Sequence, residues 1–388
     1  MDSRNAAARF SMRHFAEPCR QFAAGKKEIM DLNEAVQRSF STSYSEARER
    51  FLAAAREAGA AMAHFPCPAH GPAGEVLAMD VAYIEGAGPD IVVISSGVHG
   101  VEGYAGSAVQ IDTLLRGWSA DGPGLLLIHF VNPYGMAWTC SDNEDGVDLN
   151  RNFLDFNQPP GHNHLYDEVE SFVCCPDLKG EGRVAADAAM NAYIEERGFD
   201  NFIRAIADGQ HHRPGGYLYG GHAPVWSNLT LRKILREYTR GARRVAVIDV
   251  HTGLGDRGAA LMLCINAPGP AADRASSWWD NLVLVPSADF PFAPVGTFVG
   301  SIWDFGLDSE LTVAALEVGT EPVERAFGAL RNRKWLEKYG VFDSPETPPI
   351  LEEMHACLAP GDVEWRSATL SAGRKALDAA VAGIARGD

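Results

Sequence analysis

Ile91-Val92-Val93-Ile94-Ser95-Ser96-Gly97-Val98-His99-Gly100-Val101-Glu102-Gly103 sets out a strand, a loop and the start of a helix in thirteen residues. Residues 91–94 are apolar without alternation, the pattern of a short strand covered on both faces in the middle of a sheet. A glycine-rich loop carrying His99 and Glu102 follows, and residues 104–116 then read as a helix. A buried strand, a loop with chemistry and a helix make one unit of an α/β sheet. In such sheets ligands bind beyond the carboxyl ends of the strands.

The alternation continues outward. Strands are predicted at residues 76–83, 125–131, 245–250, 261–265 and 312–318, and helices at 185–208, 227–240, 326–339 and 367–385. Ser43 with Glu46 three residues on forms a capping box. Ala47, Phe51, Ala54 and Ala58 then recur at helical spacing until Gly59 stops the helix. Strands alternating with helices imply an α/β sandwich around a mixed, mostly parallel sheet. Residues 158–216 are irregular, with Pro159-Pro160-Gly161, Cys174-Cys175-Pro176 and Arg213-Pro214-Gly215-Gly216. They read as an insertion beside the site within one catalytic domain over 31–388, preceded by an extension at 1–30.

Composition excludes several classes of partner. With 34 basic against 51 acidic residues the net charge is -17, and no basic patch interrupts it. Nucleic acid and anionic membranes are therefore not expected partners. No run reaches the ~20 apolar residues that span a bilayer. Residues 1–29 lack the apolar core of a secretory signal, although their arginines and lysines leave a transit-like peptide as an alternative. Seven cysteines without C-x-x-C suit a reducing, cytoplasmic setting.

Four motifs carry the chemistry. His99 and Glu102, at i and i+3 on a turn, can reach one ion, and His251 follows at the end of a later strand. Two imidazoles and a carboxylate are a catalytic zinc set that keeps a fourth position open. Alone, an H-x-x-E pair is far more often structural; with the other three motifs that explanation weakens. Asp148 and Asp249 are the candidates to hold the other ring nitrogens, though each also fits a turn or cap. Asn150 and Arg151 offer an amide and a planar fork suited to a carboxylate, against the plainer reading of an exposed arginine after a strand. Glu317 ends the apolar run at 312–316, where a buried strand has little use for an unpaired carboxylate. It can serve as general base, or else as a salt-bridged structural glutamate.

In this order, Gly97-Val98-His99-Gly100-Val101-Glu102-Gly103, Val147-Asp148-Leu149-Asn150-Arg151-Asn152-Phe153, Asp249-Val250-His251 and the strand-end Glu317 resemble the zinc carboxypeptidases, the M14-like metallopeptidases. More narrowly, the motifs are similar to those of the DUF2817 group, from about Ser39 to the tail. The resemblance implies a twisted mixed sheet with helices on both faces and one zinc ion. It also implies His99, Glu102 and His251 as ligands, Asn150 and Arg151 as the grip on a substrate carboxylate, and Glu317 as base.

One part of the family pattern is missing. Relatives often place an arginine shortly before the Asn-Arg pair to polarise the scissile carbonyl, whereas this chain reads Ala137-Trp138-Thr139-Cys140-Ser141-Asp142-Asn143-Glu144. Losing one such donor costs ~3 kcal/mol of transition-state stabilisation. Arg213 and Arg257 are the candidate replacements, and Tyr217 and Tyr219 the candidate phenols, beside the alternative that the tyrosines pack a glycine-rich loop. His211 and His212 raise the idea of a second metal, but they fall in a polar loop that reads as solvent-facing.

Three readings of function follow. The first is a zinc hydrolase that cleaves a peptide-type amide beside a free carboxylate. The second is a deacylase of small N-acyl amino acids, as in the related aspartoacylase and desuccinylase branch. The third is a non-catalytic carboxylate-binding module, motivated by the missing arginine. Oligomeric state is not legible.

Overall fold

The computed structural model describes residues 31–287 and 293–387. The extension expected at 1–30 lies outside the described residues. Eight strands form one sheet: β1 (Ala61–His70), β2 (Val76–Ile84), β3 (Asp90–Ser96), β4 (Gly124–His129), β5 (Arg244–Gly253), β6 (Ala260–Ile265), β7 (Leu282–Val285) and β8 (Glu310–Gly319). Their order is β1-β2-β4-β3-β5-β8-β6-β7. The centre, β4-β3-β5-β8, is parallel, while β1, β2 and β6 pair antiparallel to their inner neighbours.

Strand periodicity divides the core into two layers. Val92, Ile94, Leu125, Leu127, Ile248 and Leu316 face helices Gly103–Arg116 and Val363–Arg386. Val93, Leu126, Ile128, Val247 and Val313 face the opposite way, against Leu231, Ile234 and Leu235 of helix Trp226–Tyr238. Each such side chain fully buried contributes about 1.5–3 kcal/mol of transfer free energy. Both faces of the sheet are covered, as a parallel centre requires.

The differences from the sequence reading have local causes. The helix expected over 185–208 is two, Glu181–Arg197 and Phe199–Ala207, broken at Gly198 with φ 87°. The strand expected to run to 131 stops at His129, because Phe130 takes φ 58° and turns the chain. β1 went unpredicted: Pro66 and Pro68 interrupt it, and only an edge strand tolerates them. In the capping box, Ser43 Oγ accepts from the Glu46 N–H at 3.2 Å, but the Glu46 carboxylate reaches Thr42 N at 2.8 Å instead of the cap residue. The segment expected to be an insertion forms an apolar cluster around Tyr166, Phe172 and Phe202, which packs on Phe327 and Leu330 of helix Val323–Lys338.

At β3 the chain's connections diverge, to β4 on one side while β5 lies on the other. A crevice opens there at the carboxyl ends, and the turn after β3 enters it. Gly100 has φ 45°, and a Cβ on it would lie 2.1 Å from the Cys140 carbonyl oxygen. Gly100→Ala must push two backbones apart, so a loss of about 1–3 kcal/mol is expected in urea unfolding. A midpoint equal to that of the unaltered protein would show that the close approach is not needed.

Candidate active site

Strand register assembles the motif residues. Ser95 of β3 lies opposite Asp249 of β5, and His251 of β5 opposite Glu317 of β8. Residues in register on parallel strands share a face. Ser95, Asp249, His251 and Glu317 therefore form a polar group at the carboxyl end of an otherwise apolar face. His99 and Glu102 reach it from the 3-10 turn Gly100–Glu102 that follows β3.

Glu102 is the meeting point. His99 Nδ1 lies 3.1 Å from its Oε1, and His251 Nδ1 lies 3.0 Å from its Oε2. The Thr252 N–H also donates to Oε2, at 3.1 Å. Aspartates hold the far ring nitrogens: His251 Nε2 is 2.6 Å from Asp249 Oδ2, and Ser95 Oγ donates to Asp249 Oδ1 at 2.7 Å. His99 Nε2 is 3.3 Å from Asp148 Oδ1, within ion-pair range but misaligned for a hydrogen bond.

This donor set fits a divalent transition metal. One donor atom each from His99, Glu102 and His251 lie within 4.8 Å of one another. Both Nδ1 atoms turn to the shared carboxylate, and both Nε2 atoms turn to aspartates, the usual partners behind metal-binding imidazoles. The electrostatics agree. Burial disfavours charge on His99, but Glu102 and Asp148 outweigh it and raise its pKa to about 10. His251 is also raised well above its ordinary value, burial being overcome by Asp249 and Glu102. Against its own burial, Glu102 falls to about 2 beside the two imidazoles, and Asp148 to about 2, chiefly through His99. The surrounding carboxylates thus favour the protonated form of both rings.

Glu317 is shifted the other way. Burial raises its carboxyl to about 7; His251 opposes the rise and Glu102 adds to it. Its Oε2 is buried without a hydrogen-bond partner.

Arg151 is anchored from behind. Its Nε donates to the Ala207 carbonyl at 3.0 Å, Nη1 to the Asn150 carbonyl at 2.7 Å, and Nη2 again to Ala207. Those bonds leave one N–H on each terminal nitrogen. Gly209 allows this packing: with φ 70°, it brings its backbone so close that a Cβ would meet Arg151 Cδ at 2.6 Å. Asn150 Oδ1 instead accepts the Phe298 N–H at 2.9 Å, so its amide oxygen secures a neighbouring loop, and Asn150 does not line the cleft.

The cleft over these groups measures about 540 Å³. Its apolar wall includes Ile203 and Ile206 of the insertion, Leu218, and Val323, Phe327 and Leu330. Tyr217 also lines it, its ring packed on Phe327 and its phenol raised by burial, with Asp148 and Asp142 adding. Arg151 is the single arginine or lysine among the described lining residues. A cavity of similar size, about 560 Å³ beside Trp278 and Trp279, contains none of the charged motif residues.

Other candidates fall elsewhere. Arg213 is on the surface, bonded to Asp167 at 2.9 Å, and does not reach the cleft. Arg257 does not line the cleft; it pairs with Asp362 and with Glu321, which does line it. Tyr219 turns away, near His222, and contributes only its carbonyl, which accepts the Asp148 N–H at 2.8 Å. Neither arginine therefore replaces the one missing at 139–141. The cations that come to that segment are Arg333 and Lys334 of helix Val323–Lys338. Arg333 donates to the carbonyls of Thr139 at 3.0 Å and Trp138 at 3.2 Å, and Lys334 pairs with Asp142. They line a small adjoining cavity together with Ser141 and Tyr217, which also face the cleft. Nothing in the local sequence pattern marks these two residues, or the wall residues 203, 206, 323, 327 and 330, as belonging to the site.

The family model described as "Protein of unknown function (DUF2817)" matches residues 40–372. No curated protein matches the chain. Among solved structures, the chain is similar to carboxypeptidase A from Helicoverpa armigera at 13% identity and a TM-score of 0.45, covering 91% of this chain and 75% of that one. It is similar to thrombin activatable fibrinolysis inhibitor at 12% identity and a TM-score of 0.45, covering 90% and 77%. For murein-tripeptide amidase MpaA from Escherichia coli O157 the values are 16%, 0.35, 71% and 91%. No helix among the described residues is long and apolar enough to cross a membrane.

The raised histidines predict proton-coupled metal binding. Titrating the metal-free chain with zinc chloride at pH 7, in buffers of different ionisation enthalpy, should release about two protons per ion bound at this site. Affinity should rise with pH until the rings titrate. Release of no protons would overturn the assignment of protons to these rings.

Proposed function

We propose that this chain, which belongs to the DUF2817 family, is a zinc-dependent hydrolase that cleaves an amide bond beside a free carboxylate. The observation that carries the reading is Glu317. It is a half-buried residue in register with the ligand candidate His251, has one buried, unpartnered carboxyl oxygen, and is raised to about 7. A proton carrier working near neutral pH needs such a value.

His99, Glu102 and His251 would hold the zinc, which when bound supplies Lewis acidity toward a water molecule and a carbonyl oxygen. The chain's own residues do the rest. Glu317 takes the proton of the attacking water and passes it to the leaving nitrogen, so one carboxylate serves as base and then acid. Asp148 and Asp249 keep the rings oriented. Arg151, fixed to backbone carbonyls, directs its two remaining N–H groups to the substrate carboxylate, with no side-chain entropy left to lose.

Charge balance narrows the substrate. The lining carries the acidic residues Glu102, Asp148, Asp256, Glu317 and Glu321, the last already paired with Arg257 and Arg325, and Arg151 as its one cation. An anionic group is favoured only beside Arg151 and an ion, so one carboxylate at that end is the expected limit. The apolar wall suits a large hydrophobic side chain next to the scissile bond. A small N-acyl amino acid would leave most of a cleft of about 540 Å³ unfilled, which favours a peptide-like substrate. The buried base and complete donor set argue against a module that only binds.

Glu317→Gln should keep stoichiometric zinc and lower kcat by about 10²–10⁴-fold, while short peptides with a hydrophobic C-terminal residue remain the best substrates of the unaltered enzyme. Retained turnover in the variant would remove Glu317 as base. Cleavage confined to acylated single amino acids would move the assignment to the deacylase reading.

Arg151→Ala should raise KM by about 10–100-fold, the worth of a lost charge-assisted contact. Leu330→Trp should slow peptides ending in large residues more than those ending in alanine. An equal effect on both classes of peptide would mean that the wall does not contact the side chain.

A further inference from the structure

The insertion gathers a second histidine cluster from two segments distant in sequence. His162, His164 and Asp167 lie at the start of helix His164–Val173, and His212 comes from the turn after helix Phe199–Ala207. His162 Nε2 is 2.6 Å from Asp167 Oδ2, and His212 Nε2 is 3.0 Å from Asp167 Oδ1. The His162 and His212 rings stack with centroids 3.8 Å apart, and the His162 and His164 rings lie 4.4 Å apart. One donor atom each from His162, His164 and Asp167 lie within 4.8 Å of one another.

We propose that His162, His164 and Asp167, with His212 beside them, form a second metal site for a borderline divalent ion such as zinc or nickel. Imidazole and carboxylate together select these ions. Calcium and magnesium, which take oxygen ligands, do not fit a donor set made mostly of nitrogen. The Asp167 carboxylate, already in contact with two of the imidazoles, balances the charge of a bound ion. Arg213, which donates to Asp167 Oδ1 at 2.9 Å, is the cation that an incoming ion would displace; half-exposed, it can move into solvent.

The position gives the site a structural consequence. Asn163, between the two histidines, caps the helix: its Oδ1 accepts the Tyr166 N–H at 3.1 Å, and its Nδ2 donates to the carbonyls of Ala205 at 3.1 Å and Gly209 at 2.8 Å. The same 205–209 segment carries the Ala207 carbonyl on which Arg151 rests. An ion held by the cluster would brace the segment that anchors Arg151. The proposal does not depend on the hydrolase reading, since its residues lie outside the cleft.

The test is equilibrium dialysis of the untagged full chain, stripped of metal, against zinc chloride or nickel chloride at pH 7.5, followed by elemental analysis. The unaltered chain should hold about two zinc ions, and His162→Ala/His164→Ala about one. Asp167→Asn, which keeps all the imidazoles, should weaken the second ion at least ~10-fold. His99→Ala/His251→Ala should retain the second ion, which separates failure of this proposal from failure of the catalytic metal. Equal stoichiometry in the unaltered chain and in His162→Ala/His164→Ala would overturn it.

Discussion

A buried carboxylate shared by two imidazoles is the constraint on which the rest of this structure depends. Glu102 is 6% exposed and has His99 on one oxygen and His251 on the other. An uncompensated charge there would cost several kcal/mol. The surroundings are arranged to supply the compensation. The turn after β3 bends sharply at Gly97 and Gly100 and brings Glu102 over the sheet end, and β5 extends to Gly253, far enough for His251 to meet it. The two aspartates behind the rings then keep each imidazole aimed at the carboxylate.

The same arrangement explains why Glu317 differs from Glu102 although they are neighbours. Glu102 receives both imidazoles and a backbone N–H and stays ionised, while Glu317 has an oxygen with no partner and is held near neutrality by burial. Two carboxyls in one pocket are thereby driven in opposite directions, Glu102 below its ordinary range and Glu317 above it.

The insertion and helix Val323–Lys338 do work that lies outside the sheet. They wall the cleft, anchor Arg151 on the Ala207 carbonyl, and bring Arg333 and Lys334 under the segment where related motifs carry an arginine. Those two cations are committed to carbonyls and carboxylates of the 138–142 segment. They rigidify it, and Arg151 remains the one guanidinium facing the cleft.

The residues themselves disclosed the central strands, because burial on both faces demands unbroken apolar runs such as 91–94 and 312–316. They also singled out His99, Glu102, His251 and Glu317 as candidates, through their motif spacing and the apolar run that Glu317 ends, and the fold brings these four to one end of the sheet. Edge strands did not show: β1 alternates between exposed and half-buried and contains prolines, so its pattern is weak. The break at Gly198 was hidden within an otherwise helical pattern. Arg213 and Arg257 looked like substitutes for the missing arginine because they were near a motif in sequence, yet Asp167 holds Arg213 at the surface, and Arg257, paired with Asp362 and Glu321, is not among the lining residues. What decided the apolar wall, the anchoring of Arg151 and the gathering of His162, His164 and His212 was tertiary packing. A strand's chemistry is written in its own periodicity, whereas a pocket wall is set by which distant helices pack together, and no local pattern encodes that.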